Sequence, residues 1–101
     1  MKEYDLDEFI KGITGLNYGQ VFSALLNEIT KLDNVYNRMK PGKVPYDFGQ
    51  YRDHVGDFFV FLTTKRIPLG IGKEGVLKFL PVINSLIGHK QLEDDFLQLL
   101  Q

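Results

Sequence analysis

Two carboxylates and an imidazole stand close together near the middle of the chain: Asp53, His54 and Asp57. Side chains three or four residues apart on a helix are neighbours, so Asp53 and Asp57 share a face and His54 lies one turn from Asp57. Carboxylate and imidazole are metal-ligand chemistry, and the trio reads as half of a metal site. The other half would come from a second helix of a bundle, and no Glu-x-x-His or His pair occurs elsewhere in the sequence. The plainer expectation is a solvated helix face with a histidine at the margin of an apolar seam. His89, the other histidine, falls in a loop beside Lys90.

Little else in the chain could do chemistry. There is no cysteine, so neither a disulfide framework nor thiol chemistry is available. No nucleophile elbow is present. The run Gly70-Ile71-Gly72-Lys73-Glu74-Gly75 lacks the spacing of a phosphate-binding loop and follows no strand, so it reads as an inter-helix turn. No set of residues offers a nucleophile or base together with a group to tune it. The expectation is a non-enzyme with no catalytic residue, no metal and no cofactor.

The trio sits inside the stretch that organises the chain, Phe48 to Arg66. Phe48, Tyr51, Val55, Phe58 and Leu62 alternate in steps of three and four, the spacing of a helix packed along other helices. Phe59 and Phe61 widen that stripe, which predicts a helix in the middle of a bundle. A strand of about five or six residues is too short to carry this periodicity. Asp47 and Gln50 have the spacing of a capping box, Lys65 and Arg66 suit the negative end of the helix dipole, and Pro68 and Gly70 end the helix.

Other elements follow from the same signals. Asp5 with Glu8 starts a first helix whose apolar face is Leu6, Phe9, Ile10 and Ile13, and Gly15 ends it. Asn17 with Gln20 starts a second at Tyr18, whose seam Tyr18, Phe22, Leu25, Ile29, Leu32, Tyr36 and Met39 predicts a rod roughly 30 Å long. Pro41, Gly42 and Pro45 turn the chain. A fourth helix carries Val76, Phe79, Leu80, Ile83, Leu86 and Ile87, with a kink expected at Pro81. Gln91 to Gln101 forms a short amphipathic helix bearing Leu92, Phe96, Leu99 and Leu100. Short links favour antiparallel neighbours, so the predicted fold is all-α: an antiparallel up-and-down four-helix bundle with a short C-terminal helix, one domain over residues 1–101.

Composition bounds the partners. Hydrophobic residues at 44% and charged residues at 25% belong to a globular domain rather than a disordered tail. The net charge of −1 exerts no general pull on nucleic acid. It is unevenly spread: residues 1–37 carry three basic and six acidic side chains, 38–90 nine and four, 91–101 none and three. The basic middle suits a negative surface, although lysines scattered over helix surfaces account for it too. The acidic start MKEYDLDEFI has no signal-peptide core, and Gly75 to Gly88 is too short for a membrane span of about 20 residues. A soluble cytoplasmic protein without membrane insertion is expected.

Three local features resemble the immunity proteins of pediocin-like bacteriocins, the enterocin A immunity family. One is the aromatic-rich central helix closing on Thr63-Thr64-Lys65-Arg66-Ile67. Another is the turn into Val76-Leu77-Lys78-Phe79-Leu80-Pro81-Val82-Ile83-Asn84-Ser85-Leu86-Ile87-Gly88. The last is the long second helix holding Leu25-Leu26-Asn27-Glu28-Ile29. Pro81 and the acidic segment Gln91 to Gln101 depart from that family's pattern. The resemblance implies a cytosolic antiparallel four-helix protein that protects its host from a pore-forming peptide. It would do so by recognising the toxin-loaded sugar permease of the mannose phosphotransferase system from inside the cell. It further implies that recognition lies in the C-terminal half, which here includes Lys65, Arg66, Lys73, His89, Lys90 and Phe96. The alternative is a small helical adaptor or inhibitor, of phage origin among other sources, acting through protein–protein contacts.

Overall fold

Asn17 and Gln20 cap each other at the start of the longest helix: Asn17 Oδ1 accepts from the Gln20 N–H at 2.8 Å, and Gln20 Oε1 accepts from the Asn17 N–H at 3.1 Å. This reciprocal pair satisfies two of the amides that every helix start leaves without a partner. In the computed structural model, which describes residues 4–64, 73–86 and Asp94, the described elements are helices. They are α1 (Leu6–Ile13), α2 (Tyr18–Arg38), α3 (Tyr46–Thr64), α4 (Lys73–Lys78) and α5 (Leu80–Ser85). Among the described residues there is no strand, and no helix is long and apolar enough to cross a membrane.

Asp5 caps α1 by accepting from the Glu8 N–H, and Gly15 follows its end at φ +92°. That left-handed conformation is one that glycine adopts without a Cβ penalty. Between α2 and α3 the Lys43 N–H donates to the Lys40 carbonyl at 3.0 Å across Pro41 and Gly42, with Gly42 at φ +78°. Proline then glycine at the two central positions is the chemistry of a type II turn. The contacts beyond this turn show that α2 and α3 are antiparallel. Tyr18 donates to the Leu62 carbonyl at 3.0 Å, Phe22 meets Phe59 at 5.3 Å between ring centroids, and Asp33 accepts from Arg52 at 3.1 Å. Numbers rise along α2 as they fall along α3.

α3 is the middle layer. Its expected seam, Phe48, Tyr51, Val55, Phe58 and Leu62, is buried, and Phe61 joins it with no exposed surface. α2 covers one side with Val21, Leu25 and Leu32, and α4 covers another with Val76 and the following Phe79; α5 packs on α1 and α4, its Val82 and Ile83, with Leu86 after it, joining the same core. The Phe58 and Phe79 rings stack at 4.3 Å and 8°. Phe9 of α1 packs edge-on to Phe79, and the Gly15 N–H donates to Ser85 Oγ at 3.0 Å, tying the end of α1 to α5.

Four local expectations change. α3 starts at Tyr46, with its first helical bond from the Gly49 N–H to the Pro45 carbonyl. Asp47 is therefore in the first turn rather than at the cap, and Gln50 turns to the Tyr46 hydroxyl at 3.5 Å. Pro45 stands just before the first helical residue, where its missing N–H costs no helical bond. On α2, Val21 is fully buried while Phe22 is half-buried and Tyr36 is 41% exposed. A straight helix drifts about 20° per heptad from a strict three–four seam, so a stripe read over five turns leaves the interface at its ends. The fourth helix is not kinked but divided. α4 closes with a Phe79 N–H to Val76 carbonyl bond, and α5 begins again from the Phe79 carbonyl with Pro81 in its first turn. Pro81 has no N–H for the Leu77 carbonyl, whereas a first-turn residue needs none. The fourth change, at His54 and Asp57, concerns the site. The expected C-terminal helix Gln91 to Gln101, apart from Asp94, lies outside the described residues.

Candidate functional site

His54 and Asp57 are not on a solvated face. They are 6% and 4% exposed, beneath α4. Gly75 of α4 crosses directly over them: a Cβ there would lie 2.8 Å from His54 Nδ1 and 2.7 Å from Asp57 Oδ2. Real Cβ atoms do not come so close, so glycine is what lets the two helices meet here. His54 Nδ1 and Nε2 and Asp57 Oδ2 are all buried without a hydrogen-bond partner. Unpaired buried polar atoms cost about 1–3 kcal/mol each, which makes this the most expensive spot in the described core.

Burial, first of all, lowers the His54 pKa below its usual 6.5; Glu74 and Asp53 raise it and Lys78 lowers it. Burial also pushes the Asp57 carboxyl from 3.8 up to about 6, with the Asp53 charge adding to the rise. Both shifts favour the neutral form of each group, as burial without a partner dictates. Gly75 leaves no room for a methyl group between them, so a substrate atom does not enter from the α4 side. Among the described residues no group of three His, Cys, Asp or Glu side chains could hold a metal ion.

Open space lies on the other side of α3. A cleft of about 310 Å³ is walled by Val44, Pro45, Tyr46, Gly49, Asp53 and His54. Another of about 260 Å³ runs between α2 and α3, past Ile29, Asp33, Gly56, Asp57 and Val60. Between them lies exposed Asp53, so the expected trio splits into two buried members and one outward-facing acid. A third, of about 210 Å³, opens toward α1, where Asp5, Asp7 and Asp47 face Lys78 and His54.

Two polar clamps hold α3 to α2. Arg52 donates from Nε to Asp33 Oδ1 at 3.1 Å, and its guanidinium stands 4.5 Å over the Tyr36 ring. The Tyr51 hydroxyl donates to Glu28 Oε1 at 3.0 Å; burial and then the Glu28 charge raise its pKa.

Of the residues expected to bind a partner, Lys73 is the first residue of α4. Lys65, Arg66, His89, Lys90 and Phe96 lie outside the described residues. Reading periodicity alone missed the burial of His54 and Asp57. A signal was present: Tyr51, His54, Phe58 and Phe61 repeat in steps of three, four and three, a second stripe beside the first.

Comparison with protein-family models, curated proteins and solved structures finds no match to this chain.

Proposed function

We propose that the chain works by binding rather than by catalysis, as an immunity protein that protects its cell from a pore-forming pediocin-like peptide. On this reading it recognises the toxin-loaded mannose permease from the cytosolic side. The observation that carries the reading is the antiparallel α2–α3 pair closed by the apolar segment Val76 to Leu86, which together hold the described parts of the three features that carry the family resemblance. α4 and α5 then count together as the fourth helix of an antiparallel up-and-down bundle, interrupted at Phe79, with a short helix after it. Recognition falls to the C-terminal half, through Lys65, Arg66, Lys73, His89, Lys90 and Phe96. Expression in a bacteriocin-sensitive strain, challenged with a panel of pediocin-like peptides, tests it. Protection against at least one peptide supports the reading, and unchanged sensitivity to all of them ends it.

A second reading is a small helical adaptor or inhibitor, including one of phage origin. It is favoured by Tyr46, which is 82% exposed at the start of α3. Exposed aromatic side chains beside a cleft are the usual anchors of protein interfaces.

A further inference from the structure

The outer face of α3 is built unlike a solvent face. Tyr46, Gly49, Asp53, Gly56 and Val60 recur in steps of three and four along one stripe, about four helical turns in length. Solvent-facing stripes are normally rich in charge. This one has a single charged residue, a tyrosine 82% exposed and a valine 37% exposed. Glycine inside a helix is destabilising relative to alanine, so two of them call for a reason. At Gly75 the reason is His54 and Asp57. At Gly49 and Gly56 nothing among the described residues lies within 4 Å of where a Cβ would stand. Gly12 and Gly19 are also nearly uncovered, but they lie next to helix ends and line none of the three clefts.

Gly49 and Gly56 each open onto a cleft, of about 310 and 260 Å³. Each cleft is also bordered by one of the two buried polar residues, His54 beside Gly49 and Asp57 beside Gly56, although Asp57 Oδ2 and His54 Nδ1 themselves face Gly75. Charge names the occupant. Among the described residues Asp53, between the two notches, has no ion-pair partner, and the neighbouring cation Arg52 is engaged by Asp33 and Tyr36. A second copy of the chain would set Asp53 against Asp53.

We propose that this stripe is a docking groove for an amphipathic helix of a partner protein, whose backbone approaches over Gly49 and Gly56 and whose basic side chain meets Asp53. The proposal rests on the reading of the chain as a protein-binding module, whichever partner class that module serves. Small residues seven apart let helix backbones come close, and Tyr46 and Val60 close on the partner's apolar side chains at either end.

The test is photo-crosslinking in the native host, with p-benzoylphenylalanine replacing Val60 and, as a control off the groove, Lys11. The expected result is one adduct from position 60 with a different protein, mapped by mass spectrometry to a helical segment containing Lys or Arg. Its yield falls at least tenfold in Gly56→Leu and in Asp53→Lys backgrounds. Because Gly56 has open space above it, Gly56→Leu keeps its thermal midpoint, which shows that the loss is not unfolding. No adduct, an adduct with a second copy of the chain, or a yield indifferent to both substitutions overturns the proposal. An adduct that passes these checks in cells with unchanged bacteriocin sensitivity removes the immunity reading and leaves this one standing.

Discussion

Gly75 and His54 are a matched pair: a Cβ on Gly75 would sit 2.8 Å from the His54 Nδ1 atom. The fit decides how closely α4 lies on α3, and with it whether Phe79 reaches Phe58.

Gly75→Ala adds helix propensity worth about 1 kcal/mol but forces a clash with His54 and Asp57. Overpacking of this kind costs about 1–3 kcal/mol, so the variant is expected to be less stable despite its better helix former. Urea unfolding measures it. Adding Asp57→Ala to Gly75→Ala empties part of the niche and recovers some of the loss. A Gly75→Ala protein as stable as the parent would show that the approach is not tight.

The niche gives stability a pH dependence with two opposed slopes. The folded pKa of Asp57, about 6, exceeds its unfolded value of 3.8. Its contribution is complete below about 4 and lost as pH rises through about 6. The folded pKa of His54 lies below 6.5, so its contribution is complete above that value and lost as pH falls through the lowered one. Asp57→Asn removes the first slope alone. The variant should gain on the order of 2–3 kcal/mol over the parent at pH 8 and nothing at pH 4. Urea midpoints of the two proteins that stay parallel from pH 4 to 8 would contradict this.

Phe58→Ala and Phe79→Ala each remove half of a stacked pair that is wholly buried. Each is expected to cost about 3–5 kcal/mol. The double variant should cost less than the two together, because the stacking is lost only once. Strict additivity in a double-mutant cycle would mean that the rings do not interact.

Arg52→Lys keeps the charge near Asp33 but gives up the planar stack on Tyr36. The site is partly exposed, and Arg52→Ala should cost only about 1 kcal/mol. Lysine is expected to restore less than half of that. Thermal melts at low and high salt separate the parts, since the ion pair is screened and the stack is largely not. A full rescue by lysine would assign the clamp to charge alone.

Read as a sequence, the chain already specified its three longer helices and where α1 and α2 begin. Asn17 with Gln20 and Asp5 with Glu8 are contacts within one turn. Pro41-Gly42 needs only four residues to make its turn, and the α3 seam from Phe48 to Leu62 repeats too regularly for a strand. All of these are decided by neighbours in the chain. Tertiary structure alone decided what covers what. Whether His54 and Asp57 meet water depends on Gly75, about twenty residues away, and nothing at positions 53–57 announces that a glycine will cross above them. The division at Phe79 and the burial of Val21 ahead of Phe22 are of the same kind. A period locates a stripe on a helix, but only the partner's position sets how far round the helix the buried arc extends, and α3 is enclosed on more than one side.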